Sequence, residues 1–135
     1  VTITDLKQKD GSIGKVSIDR VSLSCKVYEG ATDSSMSKGA GHYTSSGIYT
    51  GNIGLFGHNR GSHAYFAKLK NVKIGDIVEY KTAIGTKTYQ VTFVGSISYT
   101  DDSYLNEMGD NRITLITCIA NQPSLRLCVQ AVEIR

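Results

Sequence analysis

The sequence has no apolar stretch approaching the ~20 residues that cross a bilayer as a helix. It also has no basic run of the sort that tracks nucleic-acid phosphates. Fifteen Lys and Arg against twelve Asp and Glu leave a net charge of +3. The charge is too small and too scattered to argue for nucleic acid, and no such partner is expected. The chain opens at Val1 without a charged region followed by an apolar one, so no leader peptide is expected within it. Cysteines are few and odd in number (Cys25, Cys118 and Cys128), which leaves at least one thiol free unless it pairs with another chain. None of them stands in a Cys-x-x-Cys arrangement or near a histidine-rich partner, so zinc spacing is lacking. No repeat or linker interrupts the 135 residues. That length fits one domain, and a domain of this size stands on its core without disulfides.

What is abundant is period-two alternation, the pattern of half-buried strands. In Val21-Ser22-Leu23-Ser24-Cys25-Lys26-Val27 the apolar residues share one face. The same alternation runs through Tyr89-Gln90-Val91-Thr92-Phe93 and on to Ile97 and Tyr99. Asp76 to Ala83 and Arg112 to Cys118 read as two more strands. Leu125 to Arg135 reads as another whose parity switches, from Leu125, Leu127 and Val129 to Val132 and Ile134, as a β-bulge within it would produce. Only Ser62 to Lys70 has a helical pattern, with Ser62 as N-cap and Tyr65, Phe66 and Leu69 on one side. Gly30 to Gly47 reads as a long loop rich in Gly, Ser and Thr, and Thr100 to Asn111 as a second polar loop. Many short strands with one small helix predict an all-β fold, a single closed or nearly closed β-barrel with one or two short helices.

Three residues stand where chemistry could occur. Cys118 ends the strand Ile113-Thr114-Leu115-Ile116-Thr117-Cys118 before an irregular stretch containing Pro123. A strand end holds a side chain rigidly yet leaves it accessible, although a free cysteine is more often a small buried hydrophobe. Cys25 and Cys128 are expected to be structural. His58 closes Asn52-Ile53-Gly54-Leu55-Phe56-Gly57-His58 at a glycine-flanked turn, where an imidazole exchanges protons near neutral pH. Arg126 lies on the face opposite Leu125 and Leu127, together with Cys128 and Gln130. Its five fixed donors suit an oxyanion or a carbonyl. Read singly, each of these side chains has an inert alternative.

The stretch Thr114-Leu115-Ile116-Thr117-Cys118, with Arg126 in the following Leu125-Arg126-Leu127-Cys128-Val129, resembles the sortase signature of Thr-Leu-x-Thr-Cys followed by Arg. Ile53-Gly54-Leu55-Phe56-Gly57-His58 is similar to the family's apolar strand ending in Gly-His. Phe66-Ala67-Lys68-Leu69 and Val72-Lys73-Ile74-Gly75-Asp76 are similar to its helix and Gly-Asp turn. The likeness also takes in Ile13 to Ile18, Val27 to Gly30 and Lys38 to Tyr43. It runs in order from Ile13 to the C-terminus and is most like class D, with class A next.

The resemblance implies a cysteine transpeptidase of the sortase barrel type spanning residues 1–135, with any N-terminal membrane anchor lying outside them. Cys118 takes the nucleophile role, His58 the acid/base role, and Arg126 that of stabilising the substrate carbonyl and its oxyanion. Thr117, Ile119 and Asn121 are expected at the substrate. The loop Ile119-Ala120-Asn121-Gln122-Pro123 departs from the commonest family wording, which bears on fine specificity. His42 matches a family histidine without a catalytic role, and His63 matches nothing catalytic. The implied substrate is a Leu-Pro-x-Thr-Gly-like sorting signal of surface proteins, and the acceptor is a peptidoglycan amine. The implied location is the extracellular face of a bacterial cell membrane. No Asp or Asn stands out in the sequence to orient His58, so Cys118 and His58 are expected to share protons with weak coupling.

Two other readings remain open at this point: a cysteine hydrolase on the same signal and a non-catalytic peptide-binding barrel. Some sortases bind calcium. Here Asp101, Asp102, Glu107 and Asp110 could supply one side of such a site, but Asn59 to Gly75 has no carboxylate to supply the other. No metal or other cofactor is expected.

Overall fold

In a computed structural model, which describes residues 1–135, the alternating segments become the strands of a closed barrel. The strands are β1 (Ser12–Ile18), β2 (Leu23–Glu29), β3 (Ala40–His42), β4 (Asn52–Phe56), β5 (Ile77–Thr82), β6 (Gly85–Ser98), β7 (Arg112–Cys118) and β8 (Leu125–Glu133). Around the barrel they run β1-β2-β3-β4-β7-β8-β6-β5. Closure pairs every strand on both sides and removes the open edges that invite aggregation. The pairs β2–β3 and β4–β7 are parallel, and the others antiparallel. Helix is confined to two four-residue turns, α1 (Ile3–Leu6) and α2 (Asp33–Met36), and three short 3₁₀ turns.

The inward face of all eight strands supplies the core. Ile13, Val16 and Ile18 of β1, Leu23, Cys25 and Val27 of β2 and Ala40 of β3 meet Ile53 and Leu55 of β4 inside the barrel. Val78 and Tyr80, Tyr89 and Val91, Ile113 and Leu115, and Val129 and Ala131 complete the lining, while Leu6, Phe66, Leu69 and Val72 pack against it. Each fully buried side chain of this size contributes about 1.5–3 kcal/mol before chain entropy is set against it. A second, smaller cluster lies on the outer face of β6, β7 and β8. There Ile97, Ile116 and Cys128 are covered by Leu105, Tyr104, Phe93, Phe56 and Tyr43.

Four expectations from the sequence change. Ser62 to Lys70 is not an α-helix: the chain turns irregularly and then forms a 3₁₀ turn at Ala67–Asn71. Gly61 opens the segment at a φ of 82°, and its backbone bonds run over three residues, from Ala67 N to Ala64 O and from Leu69 N to Phe66 O. The Gly30 to Gly47 loop contains α2 and β3. β3 is too short to show alternation, and a Cβ on its Gly41 would lie 2.5 Å from the Gly30 carbonyl oxygen. The bulge is not in β8, whose register with β7 is unbroken from Arg112↔Val132 to Cys118↔Arg126. It lies in β6, where Val91↔Ala131 is followed by Phe93↔Gln130. The extra residue, Thr92, moves Phe93 and Ile97 to the outer cluster while Tyr89 and Val91 face the core, so the alternating residues of β6 do not share one face.

The parallel β4–β7 register is what positions the site. It runs from Asn52↔Arg112 to Phe56↔Ile116, so extending it two residues brings His58 level with Cys118. The antiparallel β7–β8 pairing sets Cys118 directly across from Arg126, and β6–β8 sets Arg126 across from Ile97. Three residues distant in sequence thus come to one row at one end of the barrel.

Ion pairs add a pH-dependent term to stability. Asp76 is nearly buried and receives Arg20 Nε at 2.5 Å, Arg20 Nη2 at 2.8 Å and the Lys73 backbone N–H at 2.8 Å. The Arg20 guanidinium holds the carboxyl below its usual value, as Arg112 does for Asp110. A depressed folded-state value stabilises the fold above the unfolded value, and that stability is lost as pH falls through the folded one. Denaturant midpoints are therefore expected to decline below about pH 4, where unfolded carboxyls start to take up protons. Asp76→Asn should be less stable at neutral pH and lose less on acidification. Equal acid slopes for the two proteins would contradict the assignment.

Candidate active site

β4 ends at Phe56, and Gly57 carries the chain into the turn that holds His58. Glycine is needed there because a Cβ would lie 2.6 Å from Cγ of the Phe66 ring. The turn is tied to the end of β7 beyond the last ladder pair. Gly57 N donates to Ile116 O at 3.2 Å, Thr117 Oγ1 donates to Gly57 O at 2.7 Å, and Asn59 Nδ2 donates to Cys118 O at 2.7 Å. Phe66 N donates to His58 O at 2.9 Å from the far side. The backbone on either side of the imidazole is thereby fixed relative to the cysteine.

Cys118 is the exposed thiol, and Cys25 and Cys128 are both buried. Burial pushes the thiols of Cys25 and Cys128 up to about 12, which leaves them inert at neutral pH, since the thiolate is the reactive form. The sequence reading of these two cysteines as structural therefore agrees with their surroundings. The Arg126 guanidinium lies over Tyr99, 5.8 Å from the ring centroid. Its Nη1 donates to Pro123 O at 3.0 Å and to Leu125 O at 2.8 Å. Nε and Nη2 have no protein acceptor and are free to meet an incoming oxygen.

His58, Cys118, Ile119, Asn121 and Arg126 line one pocket of about 430 Å³ together with Asn59. Its remaining wall is Arg60 and the loop of Ala120, Gln122 and Pro123. Asn121 holds a φ of 60°, the left-handed region that asparagine tolerates better than most residues. Thr117 does not line the pocket: it is buried, with its hydroxyl spent on Gly57. Asn59 and Tyr99 were not singled out from the sequence. An asparagine directly after a turn histidine and a tyrosine at a strand end are the signals that could have found them.

His42 lies apart from this pocket and is fully buried. Its Nε2 faces Gly47 O at 2.7 Å and Ser46 Oγ at 3.1 Å. The Ser46 hydroxyl proton goes to Tyr43 O, so Nε2 meets only acceptors and carries the hydrogen. Nδ1 lies 2.6 Å from Glu29 Oε1. His42 thus joins β2 to the connection after β3, while His63 sits on the exposed segment before the 3₁₀ turn.

The loop between β6 and β7 is fastened by protein groups. Asn52 Nδ2 donates to Tyr104 O and Asn106 O, Gln130 Nε2 donates to Tyr104 O, and Thr114 Oγ1 donates to Asn52 Oδ1. Three of its four carboxylates are engaged: Asp101 by Ser103, Glu107 by Asn52 N–H and Asp110 by Arg112. No cluster of three or more His, Cys, Asp or Glu side chains converges as a ligand set. The residues present do not fit the six to eight oxygens that calcium takes.

The family model described as the sortase domain matches residues 16–134. Sortase A of Listeria monocytogenes is 30% identical over 112 residues, which are 82% of this chain and 50% of that protein. The chain spans about half the length of the curated relatives it matches. Its fold superposes on the lid mutant of sortase C1 from Streptococcus agalactiae with a TM-score of 0.89 and 26% identity, covering 96% of this chain and 72% of that one. Against the structure of Listeria monocytogenes sortase A the TM-score is 0.84 at 26% identity, covering 93% and 89%.

Proposed function

The chain belongs to the sortase family, and on that premise we propose that it cleaves a Leu-Pro-x-Thr-Gly-like sorting signal between Thr and Gly and passes the acyl group to a cell-wall amine. The observation that carries this reading is the exposed Cys118 thiol directly across from Arg126, in a pocket that His58 also lines. In the first step the Cys118 thiolate adds to the Thr carbonyl, and the free Nε and Nη2 hydrogens of Arg126 meet the developing oxyanion. The C–N bond breaks as His58 gives a proton to the departing Gly amine, leaving a thioester on Sγ. An incoming amine then adds to the thioester, gives a proton to His58 and expels the thiolate. Tyr99 beneath the guanidinium and the carbonyls of Pro123 and Leu125 hold Arg126 in place for both steps. Ile119 and Asn121 contact the substrate from the loop, and Thr117 acts from behind by fixing Gly57.

Within the family we propose a class D type, with class A next, on the short loop before Arg112. The relatives reported above carry class A and class C names. Residues 1–135 are proposed as the catalytic domain of a protein anchored at the extracellular face of the membrane by a segment outside them. No helix of the chain is itself long and apolar enough to cross a membrane.

The test is mass spectrometry of Leu-Pro-x-Thr-Gly peptides incubated with the protein and an oligoglycine or diamino-acid acceptor, with a chelator or with millimolar calcium. The expected product joins the peptide acyl group to the amine, at a rate that calcium does not change. Hydrolysis alone would make the protein a cysteine peptidase, and no cleavage would favour a peptide-binding barrel. A several-fold rise with calcium would overturn the metal-free reading of the β6–β7 loop.

A further inference from the structure

We infer that Asn59 is a positioning residue for the acyl-transfer reaction, acting by locking the histidine turn to the peptide group of the nucleophile. The inference rests on the transpeptidase reading of the pocket and adds a residue to it. Three bonds hold the turn of Gly57, His58 and Asn59 against the end of β7. Two of them involve the backbone of Gly57 with Ile116 and Thr117. The third is the Asn59 side chain, whose Nδ2 donates at 2.7 Å to the carbonyl of Cys118 itself. It is the one side-chain hydrogen bond from this turn to the residue that carries the thiol.

The position of this bond gives it leverage. The β4–β7 ladder stops at Phe56↔Ile116, and beyond it the turn is held to the end of β7 by the two Gly57 bonds and by the Asn59 amide alone. The Cys118 carbonyl is also the first acceptor of the loop that runs through Ile119 and Asn121 to Pro123, the wall of the pocket. Asn59 therefore acts with the Gly57 bonds on the separation of imidazole and thiol, and it alone ties the turn to the start of that wall. An asparagine meets the requirement because its amide nitrogen donates, whereas the oxygens of an aspartate only accept and would repel the carbonyl. In a triad the third residue orients the ring of the histidine through a hydrogen bond. Here the orienting amide grips the nucleophile's backbone, leaving the imidazole free to exchange protons with both the leaving and the incoming amine.

The test compares Asn59→Asp, Asn59→Ala and Asn59→Ser with the unaltered chain. Asn59→Asp preserves size and removes the donor, and Asn59→Ser keeps a shorter donor. Displacing a reacting group by about 1 Å costs on the order of 10²-fold. We therefore expect kcat to fall about 10- to 100-fold in Asn59→Asp and Asn59→Ala, with KM within about twofold, an unshifted melting temperature and partial recovery in Asn59→Ser. A kcat within about twofold of the unaltered chain, or a loss confined to KM, would overturn the inference, the second outcome marking Asn59 as a plain substrate contact. If the unaltered chain transfers no acyl group, the transpeptidase reading fails, and the positioning role is then read from alkylation of Cys118 by iodoacetamide, which needs no substrate. A slower alkylation in Asn59→Asp sustains the positioning role, and an equal rate overturns it.

Discussion

Cys118→Ala is expected to abolish both peptide cleavage and acyl transfer while leaving the barrel folded. The thiol is exposed at the last residue of β7, so the substitution removes one sulfur from the surface and opens no cavity in the core. Its stability cost should stay near the ~1 kcal/mol of an ordinary substitution. No other thiol stands ready to replace it, since burial raises those of Cys25 and Cys128 to about 12. Cys25→Ala and Cys128→Ala should retain turnover, though both residues are packed and each variant should melt at a lower temperature than Cys118→Ala. Turnover in Cys118→Ala would move the nucleophile elsewhere.

The second large effect is expected at His58 and Arg126. Without the imidazole nothing protonates the departing amine, and a loss of about 10²–10⁴-fold follows. The loss should be larger for amine leaving groups than for an ester or thioester substrate, whose departing group needs less help from a proton. Arg126→Lys should also be severe. A lysine ammonium cannot donate to the carbonyls of Pro123 and Leu125 and still present a fixed planar pair of donors to an oxyanion. Measuring kcat and KM with amide and thioester substrates separates the two roles. Near-normal turnover by Arg126→Lys would reduce the guanidinium to a point charge, and equal losses on both substrates would remove His58 from leaving-group protonation.

Much of the barrel was legible because its strands are amphipathic. Arg112 to Cys118 matches β7 residue for residue, and Cys25 sits on the core face that its neighbours define. What sequence could not supply was structure set by contacts between distant residues. β3 is three residues held between β2 and β4, without a pattern of its own. The bulge at Thr92 reveals itself only when β6 is laid against β8, and β8 itself keeps Leu127, Val129 and Ala131 on the core side without a break. Ser62 to Lys70 has the spacing of a helix, but its backbone is claimed by Phe66 N bonding to His58 O and by packing of Phe66 and Leu69 into the core.

The same division holds in the candidate site. Cys118, His58 and Arg126 stood out through strand ends, a glycine-flanked turn and a family likeness. Their meeting in one pocket depends on the parallel β4–β7 register, which no local pattern encodes. Asn59 escaped notice because its role is a bond across 59 residues of sequence. Thr117 was expected at the substrate, yet its hydroxyl bonds the backbone of the histidine turn, since alternation sends the residue before Cys118 to the opposite face of β7.

The most direct measurement is intact-mass spectrometry of the protein mixed with a Leu-Pro-x-Thr-Gly peptide in the absence of an amine, followed by proteolytic mapping. The expected result is a mass gain equal to the peptide acyl portion through Thr, located on Cys118, removed by hydroxylamine and missing from Cys118→Ala. Cleavage of the peptide with no covalent adduct, or with an adduct on another residue, would contradict a thioester mechanism at Cys118.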